Sequence, residues 1–212
     1  MSKQKLIRRL RKFHKWPSIV LSLFVLIFAL SGIVMNHRAL FSGIDVPRKY
    51  LLDDYQYKNW NNAAVKSACR ISPDSILVYG NIGIWLTDST LSEFRDFNDG
   101  FPSGIDNRKI FKVHQTQSGN LYAGTLFGLF RYDWNNSEWQ PVPAPFAHEE
   151  VVDLLDLNDS LYVLTRSFLF ISPDKPGNFD FQKHVLPQPV NYNNEEGLFK
   201  TLWVIHSGEI GG

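Results

Sequence analysis

This sequence predicts a mainly β fold, preceded by one membrane-crossing α-helix and followed by the start of a second helix. Three observations predict it. Residues 16–35 are a single uncharged apolar run. Residues 70–190 alternate short apolar segments with Gly, Asn, Asp, Ser and Pro clusters, the punctuation of strands and turns. From Leu198 the apolar residues change to helical spacing, at Leu198, Leu202, Ile205 and Ile210.

The first run reads WPSIVLSLFVLIFALSGIVM from Trp16 to Met35. About 20 helical residues cross a hydrocarbon core roughly 30 Å thick. The only side-chain hydroxyls in it belong to Ser18, Ser22 and Ser31, which can bond back to helix carbonyls. Pro17 is expected in the first helical turn, where a missing N–H is harmless. Residues 1–15 hold seven Lys and Arg and no acid. The positive-inside rule therefore puts this tail in the cytoplasm and everything after Arg38 outside, across a bacterial inner membrane. A cleaved signal peptide is the competing reading, with Ala29-Leu30-Ser31 as its small-x-small site and a secreted body as its product. Against it, the apolar run continues through Ile33-Val34-Met35. Both readings place the body outside the cytoplasm. The expected divisions are a basic tail at 1–15, a transmembrane helix at 16–38, a connector at 39–69, a β domain at 70–190 and a helix start at 197–212.

With 212 residues the chain has room for one medium domain plus attachments. Its net charge of +1 hides a split: beyond the tail, 15 basic residues face 21 acidic ones, a balance of −6. A basic body that binds nucleic acid is thereby excluded. A single cysteine, Cys69, excludes an intramolecular disulfide and a multi-cysteine metal site, and reads as a structural thiol.

In the β region, Ser75–Gly80 and Gly83–Thr87 read as paired strands. The pair recurs at Asn120–Gly124 with Gly128–Tyr132, and again at Ser160–Leu164 with Phe168–Ser172. An apolar stretch precedes the later pairs, at Lys109–Val113 and Val151–Leu155, and an aromatic segment follows each pair, at Glu93–Phe97, Glu138–Pro141 and Phe179–Lys183. A period of roughly 40–45 residues with about four strands per unit is that of a β-propeller blade. Three units are clear, and residues 44–70 are the candidate fourth. The expectation is a partial or small β-propeller-like domain: an incomplete propeller, a four-bladed ring or an open stack. Its aromatics read as core packing.

Few motifs in the β region carry chemistry. His148-Glu149-Glu150 lacks the second histidine of a zinc-protease helix. Residues 96–100, DFNDG, lack the distal Glu of a calcium loop and read as a hairpin turn. Asn135-Asn136-Ser137 and Asn158-Asp159-Ser160 match glycosylation triplets but are given no role. There is no Gly-rich phosphate loop and no nucleophile elbow, so no catalytic residue is assigned. His114, His148 and His184 read as ordinary loop or surface residues.

His14 and His37 flank the apolar run. They are 23 residues apart, about 35 Å along a helix, and so mark opposite membrane faces. His206 stands at the second helix start. A histidine at a membrane edge can be a plain interfacial polar group, but three at matching positions hint at haem or metal ligation.

Two phrases carry a family resemblance. Arg11-Lys12-Phe13-His14-Lys15-Trp16-Pro17-Ser18, with Ala29-Leu30-Ser31-Gly32, resembles the first helix of PepSY-associated transmembrane proteins. Ile205-His206-Ser207-Gly208-Glu209-Ile210-Gly211-Gly212 resembles their second signature, which opens the next transmembrane helix. Within the β region, Gly119–Asp133 resembles the blade phrase of two-component-regulator propellers, which would replace the family's usual exterior insert. The resemblance implies an N-terminal fragment whose partners are the missing C-terminal transmembrane helices. It also implies haem b, with His14 ligating on the cytoplasmic side and His37 or His206 on the periplasmic side. The leading expectation is therefore haem-dependent electron transfer or iron-siderophore reduction at the inner membrane, with an iron-siderophore or protein as periplasmic partner. The alternative is a non-catalytic, membrane-anchored sensor or interaction module. The lipid bilayer is a partner in both.

Overall fold

The computed structural model describes residues 3–53, 64–193 and 195–207. Helix α1 runs over Lys3–Asn36, and Arg11–Asn36 is long and apolar enough to cross a membrane. The helix begins well before the apolar run, because the tail is built of Lys, Arg, Leu and Gln, all good helix formers. Pro17 therefore lies inside α1 and not in its first turn, and the carbonyl four residues back loses its usual partner. One-turn α2 (Arg38–Phe41) and a 3-10 turn at Arg48–Tyr50 follow.

Among the described residues, twelve strands then form three antiparallel four-stranded sheets, each a simple meander. The first holds β1 (Val65–Ser72), β2 (Ser75–Gly80), β3 (Gly83–Thr87) and β4 (Phe94–Asp96). The second holds β5 (Ile110–Gln115), β6 (Leu121–Thr125), β7 (Gly128–Asp133) and β8 (Glu138–Pro141). The third holds β9 (Val151–Leu157), β10 (Ser160–Thr165), β11 (Leu169–Pro173) and β12 (Gln182–His184). β1 occupies part of the stretch expected as connector or fourth unit, and is the inner strand of the first blade. Residues 54–63 of that stretch lie outside the described residues. Helix α3 (Leu198–Ser207) closes the described chain.

Consecutive sheets pack face to face, β5 against β1 and β2, and β9 against β5 and β6. Burial follows from that order. Every residue of β6 is buried, because the middle blade is covered on both faces. Leu121 and Ala123 enter one core with Leu77, Tyr79, Ile84 and Trp139. Tyr122, on the opposite face, enters the other with Phe146, Leu161, Val163 and Phe170. In β10 burial alternates, since one face looks away from the stack. Two junctions are thus filled among the described residues, giving a stack of three propeller-type blades.

Threonine shapes two of the inner turns. Thr125 Oγ1 accepts from the Phe127 N–H at 3.1 Å and donates to the Gly128 carbonyl at 2.9 Å. Thr165 does the same with the Phe168 N–H at 3.1 Å and the Phe168 carbonyl at 3.2 Å. This hydroxyl, bridging its own turn, is the part of the Gly-Thr phrase that persists in the third blade after the glycines are lost.

The DFNDG segment is the crossover between the first two blades and not a hairpin turn. Asn98 is buried and imitates a strand: Ile84 N–H donates to its Oδ1 and its Nδ2 donates to the Ile84 carbonyl, both at 2.9 Å. Gly100, at φ +94°, brings the chain against Trp139, where an added Cβ would sit 2.2 Å from the Trp139 carbonyl oxygen.

Candidate functional site

Two regions hold polar groups in defined geometry: the junction between α1 and the blades, and the contacts between blades.

At the junction, Arg38, which opens α2 just after α1, meets Asp106 in the crossover before β5. Its Nε donates to Oδ2 at 2.8 Å and its second guanidinium nitrogen donates to Oδ1 at 3.1 Å, a bidentate fork. Lys109 Nζ approaches the same carboxylate at 2.7 Å. Asp45 Oδ1 accepts from the Ile105 N–H at 2.9 Å, giving a second tie nearby. Gly104, at φ +101°, permits the close approach, since a Cβ there would stand 2.0 Å from the Ser42 carbonyl oxygen. The Arg38 hydrogen bond, despite some burial, holds the Asp106 carboxyl down at about 2.

Between the second and third blades, Lys112 pairs with Asp153 at 3.0 Å, and His114 Nε2 lies 2.7 Å from Asp156 Oδ1. His114 is thus a half-buried interblade contact and not an ordinary surface histidine. The residue type carried no signal; its place on the inner strand of the middle blade decides it. His148 and His184 are exposed, as expected. Asp174, just after β11, gathers donors from the second blade: the Tyr122 hydroxyl at 2.7 Å, Asn120 Nδ2 at 3.0 Å and the Ser118 hydroxyl. Burial alone would raise the Asp174 pKa, but these donors hold it below the ordinary value. Burial first, and then the Asp174 charge, push the Tyr122 phenol up. Burial likewise raises the Cys69 thiol, which keeps it in the unreactive protonated form.

His14 and His37 stand exposed at the two ends of the apolar run. The Ser18 hydroxyl donates to the His14 carbonyl at 2.7 Å and also lies 3.1 Å from His14 Nδ1. His37 Nδ1 lies 3.0 Å from the Ile33 carbonyl, which can only accept. Each ring thus has Nδ1 beside an oxygen of its own helix or turn. His206 lies in α3, and its side chain is outside the described residues. Among the described residues, no group of three or more His, Cys, Asp or Glu is assembled that could hold a metal ion.

No family model matches the chain. No curated protein matches it either. Solved structures do. The extracellular domain of the hybrid two-component system BT4673 from B. thetaiotaomicron is 19% identical over 57% of this chain and 17% of its own, with a TM-score of 0.49. A second structure of the BT4673 extracellular domain, described as that of a one-component system, is 20% identical over 55% of this chain and 16% of its own, with a TM-score of 0.48. The extracellular domain of the hybrid two-component system BT3049 from the same organism is 14% identical over 62% and 18%, with a TM-score of 0.45. This chain spans less than a fifth of the length of these structures.

Proposed function

We propose that the chain is a membrane-anchored sensor or interaction module. α1 crosses the inner membrane with its basic end in the cytoplasm, and the blade stack stands outside. The observation that carries this reading is the bidentate Arg38–Asp106 clamp, backed by Asp45 on the Ile105 N–H. A mere tether needs no fixed angle between helix and body, whereas a module that reports on what it binds does. Arg38 and Asp106 are partly exposed, so the pair contributes no more than about 1 kcal/mol to folding. Its role is orientation.

The test is a spin-label distance between Ile27 in α1 and Ser137 in the second blade, in the full chain in nanodiscs. The expected result is one narrow distribution that broadens in R38A and D106N while the blades stay folded. A broad distribution in the unmodified protein overturns the coupled-module reading. The clamp does not switch near neutral pH. The folded Asp106 pKa is depressed from 3.8 to about 2, so its contribution is complete above pH 4 and fades as pH falls through 2.

A second reading rests on the imidazoles. Each ring is held by a contact from Nδ1 to a nearby oxygen, and an oxygen on one ring nitrogen with the other left for the ligand is how histidine ligands are commonly held. Haem b at His14, and at His37 or His206, would supply one-electron transfer across the membrane toward iron-siderophore reduction, as the PepSY resemblance implies. The two rings flanking the run are about 35 Å apart along a helix, so each requires an opposing ligand from another helix. Protein extracted from membranes as the complete gene product should show a Soret band that H14A diminishes. With no such band, the module reading stands alone.

A further inference from the structure

We infer that residues 38–52 form an interfacial collar that lies on the membrane surface, its occupant being the glycerol and upper acyl region of the adjoining phospholipids. The inference rests on the reading of α1 as a membrane span and adds a second contact with the bilayer.

The segment reads RALFSGIDVPRKYLL, and its large apolar side chains point away from the protein. Leu40, Ile44, Tyr50 and Leu52 are 77%, 68%, 72% and 76% exposed, and Val46 is exposed with them. So many exposed apolar groups within one short stretch mark an interaction surface. What covers them follows from continuity. A groove lined by Val34, Met35, Phe41, Ile44 and Val46, with the Arg38–Asp106 pair as its polar part, runs from the last turn of α1 into this segment. Lipid that surrounds Val34 and Met35 meets Phe41 and Ile44 next.

Charge and backbone agree with that occupant. Lys49 places its Nζ 5.1 Å from the centre of the Tyr50 ring, so an aromatic and a cation stand together at the level where membrane proteins carry both. Entering the interface is costly for unpaired backbone groups. Here the turns close on themselves: Leu40 N–H donates to the His37 carbonyl, Ile44 to Phe41, Tyr50 to Pro47 and Leu51 to Arg48, at 2.9–3.0 Å. The clamp at Asp106 then holds the second blade against a segment that is itself on the membrane.

The test uses the full chain with Cys69→Ser and one cysteine at position 44 or 52, labelled with an environment-sensitive fluorophore. The protein is placed in phosphatidylcholine nanodiscs containing a lipid with a nitroxide near the glycerol, and in a parallel sample a lipid with a nitroxide deep in the acyl chain, which reads position 27. Labels at Leu91, on a blade turn, and at Ile27, inside the span, are the references. Quenching at 44 and 52 is expected to exceed that at 91 by about twofold or more. Equal quenching at 44, 52 and 91, with 27 strongly quenched, overturns the collar and leaves the anchor standing. If 27 also escapes quenching, the anchor reading fails with it. Because Ile44 and Leu52 are exposed, I44D/L52D should fold normally and lose the excess quenching at a label on Val46.

Discussion

Trp139→Ala is expected to remove about 3–5 kcal/mol of stability and to separate the first two blades. Trp139 is 1% exposed and stands where three elements meet. Its indole N–H donates to the Phe97 carbonyl at 2.8 Å, and its backbone N–H donates to the Asp99 carbonyl at 2.7 Å. The ring stacks on Phe101 with centroids 5.3 Å apart and meets Tyr132 edge-on at 5.2 Å. Truncation leaves a cavity between these rings and strands the Phe97 carbonyl. Since domains are stable by only about 5–15 kcal/mol, the loss is a large share of the total. Hydrogen exchange on the full chain checks it. Amides of β2, β3 and β7 should lose protection together, while those of β10 and β11, beyond the other junction, lose less. Uniform loss would mean that the stack unfolds as one unit, and unchanged protection would remove Trp139 from the junction.

Asp174→Ala is expected to cost about 1–3 kcal/mol at the other junction, because it leaves the buried Tyr122 hydroxyl without its acceptor. The Tyr122 side chain is fully buried and the Asp174 carboxylate receives its hydroxyl. Asp174→Asn should restore part of the loss, since its amide oxygen still accepts. In the Tyr122→Phe background, Asp174→Ala should cost clearly less, because one orphaned donor is gone; equal costs in both backgrounds would show that the hydroxyl and the carboxylate are not coupled. The pH dependence has a definite sign. The Asp174 pKa is depressed in the folded state, so its contribution is present above the ordinary carboxylate range and is lost as pH falls through the lowered value. Asp153 and Asp156, at the same junction, are depressed too and act in the same direction. In acid the second junction should therefore loosen, and Asp174→Ala should flatten that dependence.

The blade repeat was legible because strand and turn chemistry are local. Ser75–Gly80, Gly83–Thr87 and Glu138–Pro141 fall where the sequence puts them. β1 was harder to see, because Val65–Ser72 carries Lys66 and Arg70 and has no sustained alternation. It becomes a strand by pairing with β2, a partner that periodicity does not reveal. The crossover at residues 96–100 was misread for a related reason. Asn and Gly there signal a turn, and only the folded chain shows that Asn98 completes the edge of its own blade at Ile84 and that Gly100 makes room for Trp139 of the next.

The histidines divide in the same way. Sequence spacing alone places His14 and His37 at opposite ends of a membrane helix, since helical rise is a property of the backbone. It could not show that each ring sets its Nδ1 beside a nearby oxygen, nor that His114 meets Asp156 from another blade. By itself the sequence determined the long apolar helix, the charge split about it and the repeat of strand pairs, all set by composition and short-range periodicity. Tertiary structure alone decided which strand faces are doubly buried and which carboxylate serves which donor. It alone also shows that Arg38 is joined to Asp106, 68 residues away. Those depend on which surfaces meet after the chain has folded, and no local pattern carries that information.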